Sequence, residues 1–480
     1  MNPQTFLNWI DGHWQAGETF VENRSPSDTD DLIGRYTQAT SVQAQQAIEA
    51  ARRAQPQWAA TGLEQRHDVL RAIGDELIAR RDELGRQLAR EEGKTLAEGV
   101  GEVARAGQFF HYFAAEVLRQ LGGNADSVRP GIEIDYRREP LGVVGIITPW
   151  NFPMATACWK IAPALAFGNA VLFKPANLTP ASAWALTEII SRQALPPGTF
   201  NLLMGPGEAI GHLLATSPGV DGISFTGSLE TGRRLAATAA PNLIKLQMEM
   251  GSKNALVVLD DADLDLAVEC AFQGAYSGAG QKCTASSRLV VTPGIHAAFV
   301  ERLAERMRNV RVGRALDEGV QMGPVIDGRQ LESNLRYVAL GQREGARLVC
   351  GGEALAHPER AWCMSPALFD EGRNDMQINR DEIFGPIACV IPVRDYEEAL
   401  AVANDTAFGL TAGIMTQSLR HATHFRRHAQ AGCVMVNLPT AGTDYHVPFG
   451  GRKASSYGPR EQGPHAAEFY TTLKTAYTRA

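Results

Sequence analysis

From residue 141 onward the chain alternates short apolar runs with helical stretches, and no other feature narrows its fold as much. The runs fall at 141–148, 170–173, 200–204 and 223–225, each bounded by turn residues. Helical segments at 181–193 and 208–215 separate them. Nearly unbroken apolar strands are buried on both faces, and parallel neighbours need a crossover of about a dozen residues or more. The pattern therefore predicts parallel α/β layering. It starts again at 255–259, 289–292, 388–393 and 434–437, so two α/β units are expected, joined near 249–252. No internal repeat or low-complexity linker interrupts them.

The earlier part reads as helical. Ser41 is placed as an N-cap, with Ala47, Ile48 and Ala51 following at helical spacing. Val69, Leu70, Ile73, Leu77, Leu84 and Leu88 mark one longer amphipathic helix. Segments 132–136 and 469–472 have strand chemistry without a sequence neighbour, so they pair with each other or with another subunit. The chain has 480 residues, enough for two or three packed units. Its net charge of −7 supplies no basic footprint for nucleic acid. The start, Met1 to Phe6, lacks the basic-then-apolar pattern of a signal peptide. The most apolar region, 159–173, carries Lys160 and Asn169 and is too short to span a bilayer. Seven cysteines, an odd number without a CxxC pair, suit reduced thiols in the cytoplasm better than disulfides, and no metal site is expected.

Several local patterns carry chemistry, each with a plainer reading beside it. Cys283 stands in Gly280-Gln281-Lys282-Cys283-Thr284. Glycines 278 and 280 leave backbone room for a ligand, and Lys282 could hold a thiolate. A lone cysteine is otherwise a small buried hydrophobe. Glu249, between Met248 and Met250, should have a raised pKa if buried and would then suit a general base; alternatively it is a surface residue at a strand end. Asn151 follows the run 142–148, at the carboxyl end where open α/β sheets bind ligands, and its amide could donate to an oxyanion or simply hold a proline-flanked turn. Lys174 ends the run 169–173, either to meet ribose or phosphate or merely to reach solvent. Phe225-Thr226-Gly227-Ser228 is a strand–turn–helix start whose N–H groups could meet phosphate, although neither GxGxxG nor a Walker sequence is present. Asp260, Asp261, Asp263 and Asp265 lack the glycine and distal glutamate of a calcium loop and fit helix capping near Asp263.

Together these segments resemble the aldehyde dehydrogenase superfamily nearly end to end. Asn8-Trp9-Ile10-Asp11-Gly12 looks like its opening. Thr148-Pro149-Trp150-Asn151-Phe152-Pro153, Phe173-Lys174-Pro175, Phe225 to Ser228, Met248-Glu249-Met250-Gly251 and Gly280 to Cys283 follow in family order. Glu382-Ile383-Phe384-Gly385-Pro386 and Pro448-Phe449-Gly450-Gly451 complete the set. The resemblance implies a Rossmann-like NAD(P) domain (residues 1–123 and 144–251), an α/β catalytic domain (252–447) and a small β arm for oligomerisation (124–143 and 463–480). It also implies that Cys283 attacks an aldehyde, that Asn151 and the Cys283 N–H hold the oxyanion, and that Glu249 activates water against the resulting thioester. Thr148, Trp150, Lys174, Asn177, Gly227, Ser228, Gly251, Glu382 and Phe384 are the implied cofactor residues: Lys174 and Glu382 for the two riboses, Ser228 for the pyrophosphate. NAD-preferring members often carry a glutamate where Asn177 stands, so NADP is expected to be accepted alongside NAD. Asn177 could equally cap the following helix. Ser252 replaces a common second glycine.

Residues 438–447 and 455–461 look like the α-ketoglutaric semialdehyde (2,5-dioxopentanoate) dehydrogenases of bacterial sugar-acid catabolism. Related succinate semialdehyde dehydrogenases place an arginine where this chain has Trp159. A carboxylate substrate would then need Arg105 or Lys282, whereas an apolar or aromatic aldehyde would suit Phe152, Trp159 and Phe449. Transfer of the acyl group to coenzyme A is disfavoured by the presence of Glu249. A non-enzymatic binding protein is disfavoured by Cys283, Glu249 and Asn151 together. Homodimers or homotetramers are expected, without nucleic-acid or membrane partners.

Overall fold

The computed structural model describes residues 4–119, 122–356 and 360–479; the extreme N-terminal residues 1–3 of the expected signal-free start lie outside them. Two large sheets dominate. The first runs in space through Ser456–Tyr457, Lys245–Glu249, Gly222–Thr226, Val143–Ile147, Ala170–Lys174, Phe200–Leu202, Asn8–Ile10 and His13–Gln15. Its five inner strands are parallel and its outer ones antiparallel. The first three parallel strands of the chain run outward one way from Val143–Ile147, and the fourth and fifth run the other way. The order thus reverses between Val143–Ile147 and Gly222–Thr226, and a crevice opens outside their carboxyl ends. The second sheet is ordered Arg347–Cys350, Ala367–Asp370, Ile387–Pro392, Ser286–Val291, Asn254–Val258, Thr411–Met415 and Cys433–Val436. All but its first strand are parallel.

The parallel layering predicted from the apolar runs is therefore present, and every run contains a strand. Both faces are covered as such strands require. Leu70, Ile73, Phe110 and Phe113 share one apolar cluster with Ile146 and Phe173, while Ile48 and Leu214 share another with Leu172 and Ile223.

Three local expectations change. The first helix, Ser41–Ala59, is capped by Thr40, not Ser41: its hydroxyl accepts Gln43 N–H, and Gln43 reaches back to the Thr40 N–H at 3.1 Å. The single long helix is two, Leu63–Ala79 and Arg81–Glu92, broken at Arg80. Leu77 and Leu84 lie seven residues apart, so the apolar phase continues across the break and periodicity cannot register it. Arg80 is instead a hub for Glu76, Glu83 and Glu188. In the tail, Phe469 and Tyr470 end a short helix and are buried, and the strand begins at Thr471. That strand, Thr471–Thr478, pairs antiparallel with Glu133–Pro140, which pairs with Gly122–Asp126. The strands that carry the two segments thus pair with each other, but in a shifted register: 133–136 faces 475–478, and 471–472 faces 139–140. Asp263 does cap the helix Leu264–Tyr276, accepting from Leu266 N–H. No described helix is long and apolar enough to cross a membrane.

Candidate active site

A cleft of about 650 Å³ lies along the carboxyl ends of the first sheet, and the loops before strands of the second sheet close it. Cys283 lines it. Its loop leaves the helix Leu264–Tyr276 through Gly278, Ala279 and Gly280, all with positive φ. A Cβ on Gly280 would stand 2.3 Å from the Gly385 carbonyl oxygen, so this glycine makes the turn and admits neighbouring backbone, and the room read there for a ligand is filled. Asn254 fixes the loop by donating to the Cys283 and Ala285 carbonyls at 2.8 and 2.9 Å. Burial raises the Cys283 thiol to about 12, helped by the charges of Glu382 and Glu249. The Lys282 ammonium donates to the Gln273 carbonyl at 3.0 Å, and burial lowers it to about 8.

Asn151 is buried at the cleft wall, beyond the strand Val143–Ile147. Its Nδ2 donates to the Gln281 carbonyl at 2.9 Å, which ties it to the Cys283 loop. The second Nδ2 proton is left for a ligand in the cleft. Glu249 ends the strand Lys245–Glu249, as read, but it is buried and does not line the cleft. Its Oε2 accepts Ser456 Oγ–H, and Gly450 packs so closely that a Cβ there would lie 2.6 Å from Oε1. Burial raises its pKa well above the usual glutamate range, and Glu461 raises it further. Its resting place thus favours the protonated form, and in its charged form the carboxyl is within electrostatic reach of Cys283.

The rest of the cleft suits a dinucleotide. Thr148, Trp150, Lys174, Gly227, Ser228, Gly251, Glu382 and Phe384 all line it. The Lys174 ammonium is buried and spends one hydrogen bond, on the Pro175 carbonyl at 2.7 Å. Burial lowers it to about 8, and further acceptors would favour its charged form. At the other end Glu382 Oε1 accepts Ser252 N–H at 2.9 Å, while Oε2 would lie 2.0 Å from a Cβ on Gly251. Only glycine fits there. Burial raises Glu382 to about 7. An unspent cationic donor and an unspent carboxylate oxygen at opposite ends are what two ribose diols need. Between them Ser228 caps the helix Leu229–Ala239, whose N-terminus can meet a diphosphate. Trp150 stands edge-on to Phe384, with ring centroids 5.5 Å apart.

Three further sequence candidates sit elsewhere. Asn177 is exposed, outside the cleft-lining set, and Thr179 holds the N-cap position of Pro180–Ser191, so Asn177 is no cap either. Phe152 and Trp159 line the cleft, but Phe449 is buried behind Trp159, 5.7 Å from it by centroid. Arg105 is also off the cleft, with its guanidinium 5.5 Å from the Tyr445 ring and 4.0 Å from Asp444. Tyr445 meets Phe109, which meets Trp159, so an aromatic path joins Arg105 to the cleft. Sequence reading missed Gly207, Glu208, His212, Thr231 and Arg234, which line the end of the cleft near Lys174 and Ser228. Their signal was available: Gly205-Pro206-Gly207 opens a helix after the strand Phe200–Leu202, as Gly227-Ser228 does after its own.

The model of the aldehyde dehydrogenase family matches residues 13–476. The α-ketoglutaric semialdehyde dehydrogenase of Bacillus subtilis is 39% identical over 480 residues, covering 99% of this chain and 98% of the relative. A betaine aldehyde dehydrogenase of Cereibacter sphaeroides is 41% identical over 94% of this chain and 92% of its own length. Among solved structures, betaine aldehyde dehydrogenase from Staphylococcus aureus in complex with NAD+ superposes with a TM-score of 0.97 at 32% identity, over all of this chain and 95% of that one.

Proposed function

The chain belongs to the aldehyde dehydrogenase family, and from that premise we propose that it oxidises α-ketoglutaric semialdehyde (2,5-dioxopentanoate) to 2-oxoglutarate with NAD. The observation that carries this is one cleft lined by a lone cysteine, an oriented amide and a donor set suited to two riboses. Cys283 gives up its thiol proton to solvent in the cleft and adds as the thiolate to the aldehyde carbon. Asn151 Nδ2–H and the Cys283 N–H receive the oxyanion of the thiohemiacetal. A bound dinucleotide supplies the hydride acceptor that leaves a thioester on Cys283. Glu249, once ionised and turned from Ser456, takes a proton from the water that hydrolyses it. Residues 1–123 and 144–251 are assigned to the dinucleotide and 252–447 to catalysis. The segments 124–143 and 463–480 are assigned to assembly as a homodimer or homotetramer, supported by exposed Tyr136, Leu473 and Tyr477 on the arm. Seven free thiols support a reducing compartment, the cytoplasm.

The substrate assignment rests on the aromatic path from Arg105 to Trp159, whose buried indole N–H has no protein acceptor. Arg105 is weakly engaged by an exposed Asp444 and is free to exchange it for a substrate carboxylate. Loss of one charge-assisted hydrogen bond costs about 1.5–3 kcal/mol, so Arg105→Ala should raise KM for 2,5-dioxopentanoate by about ten- to a hundredfold. Because the contact is remote from the reacting carbon, kcat should hold, as should both constants for propanal. An absorbance assay at 340 nm with this pair of aldehydes measures it; equal effects on both, or none, refute the assignment. The rings of Phe152 and Trp159 on the cleft wall also favour a second reading, a quaternary ammonium aldehyde such as betaine aldehyde. It wins if betaine aldehyde gives the higher kcat/KM on the same panel.

Asn177 adds no carboxylate beside Lys174, and Glu208, which does line that end of the cleft, stands 3.8 Å from Arg234. NADP carries close to two further negative charges, so we expect it to be accepted, and Asn177→Glu to lower kcat/KM for NADP more than for NAD. A wild type that already rejects NADP as strongly as the variant removes any role for this position.

A further inference from the structure

We propose that Lys94 and Glu102 are a positioning pair for Asn151, setting the oxyanion donor from behind. The inference rests on the reading of Asn151 given above and extends it to residues that touch neither substrate nor cofactor. Lys94 follows the helix end at Gly93, and Glu102 lies in the second turn of the helix Leu96–Val117. Their side chains are 4% and 2% exposed, and Lys94 Nζ stands 2.6 Å from Glu102 Oε2. The same ammonium donates to the backbone carbonyl of Asn151. It also lies 3.6 Å from the ring centroid of Phe152, the next residue. Glu102 Oε1 accepts the N–H groups of Met154 and Ala155 at 3.0 and 3.1 Å, at the start of the helix Ala155–Ala166.

One buried ion pair therefore grips the turn at both ends: the carbonyl of Asn151 by the cation, and the amides three and four residues on by the anion. Between these grips the turn has proline at 153 and no strand neighbour, and its other ties are the Asn151 side-chain bond to the Gln281 carbonyl and the Thr156 N–H donated to the Phe152 carbonyl at 3.0 Å. The nucleophile's loop is tied to the same helix. Glu98, which closes the capping box with Thr95 through Oε2, accepts Gly278 N–H with Oε1 at 2.8 Å. The helix Leu96–Val117 thus holds the Asn151 turn through Lys94 and Glu102 and the Cys283 loop through Glu98. The separation of amide and thiol is set against one rigid element. An oxyanion donor works only where it is held in advance, since a donor that must reorganise loses most of its advantage.

The experiment compares Lys94→Met, Glu102→Gln, Asn151→Ala and the double variant Lys94→Met/Asn151→Ala, by kcat, KM, Tm and NAD affinity. Loss of one oxyanion donor costs about a hundred- to a thousandfold in kcat, and Asn151→Ala and Lys94→Met should each approach the lower figure with NAD affinity unchanged. Adding Lys94→Met to Asn151→Ala should change kcat by less than about threefold, because a residue acting through Asn151 has nothing left to act on. A merely structural role would lower Tm and leave kcat, or would multiply fully with Asn151→Ala; either outcome overturns the proposal. If Lys94→Met does not fold, Glu102→Gln decides, since it keeps the volume and its Oε1 can still accept from Met154 and Ala155. Its kcat should fall about tenfold through loss of the charge that holds Lys94, and a wild-type kcat overturns the pair's role. If Asn151→Ala keeps wild-type kcat, the reading of Asn151 itself has failed and this inference falls with it. A fall in Asn151→Ala without one in the pair isolates the failure here.

Discussion

Cys283→Ala should lower aldehyde oxidation by about four orders of magnitude or more while leaving NAD affinity unchanged, because a covalent route cannot be patched by the remaining groups. The cleft-lining residues include no other thiol. Cys433 is near enough to influence Cys283 electrostatically, but its Sγ faces the Gly450 carbonyl. Cys158, Cys270, Cys363 and Cys389 are buried in apolar surroundings that raise their thiols. The residues proposed above to hold the dinucleotide, Lys174, Ser228 and Glu382, line the same cleft but make no bond to Cys283. Titration of NAD binding by protein fluorescence and steady-state assays at 340 nm separate the two effects. Residual turnover above one part in about a thousand, once wild-type contamination is excluded, would mean that no thioester on Cys283 is needed.

The legible part of this site is the part that sits at strand ends. Lys174, Thr148 and Gly227 each follow an apolar run, and the run both makes the strand and aims its carboxyl end at the crevice. Local sequence suffices there because parallel order is built from units that each begin and end within some thirty residues. What escaped notice depends on contacts across the chain. Glu249 rests against Ser456, 207 positions away, and no local pattern tells a carboxyl that it will be tied back from the cleft. Lys94 meets Asn151 over 57 positions and reads in the sequence as an ordinary lysine after a glycine. Phe449 and Arg105 were sorted by residue type, but whether a ring lines a wall or backs it is decided by packing: Trp159 stands in front of Phe449. The break at Arg80 was hidden for the opposite reason, since the sequence signal was present and unchanged on both sides of it.

Glu249→Gln should separate the two halves of the reaction. Formation of the thioester needs Cys283 and the oxyanion donors, and these are untouched, so the first turnover should release a burst of reduced cofactor close to one equivalent per site. Hydrolysis then lacks its base, and steady-state turnover should fall by about a hundred- to ten-thousandfold. Stopped-flow absorbance at 340 nm resolves burst from steady state. Loss of the burst together with turnover would place Glu249 in the first half instead, and wild-type turnover would remove it from the mechanism. The same residue makes a stability prediction of defined sign. Burial and Glu461 raise its pKa in the folded protein, so folding favours the protonated form. That contribution is complete below the unfolded pKa and is lost as pH rises through the raised folded value. Glutamine resembles the protonated acid and does not ionise. The variant should therefore gain in Tm over wild type as pH is raised from about 5 to about 9, with the gap widening above the usual glutamate range. The ionisation that makes Glu249 useful as a base is thus the one that its buried resting place resists, and removing it should cost activity while relieving the fold. A Tm difference that stays constant across that range would show that folding does not raise the carboxyl's pKa and that Glu249 ionises in place as a free glutamate does. A gap still widening at the top of the range would show that the base has to leave Ser456 and Gly450 before losing its proton.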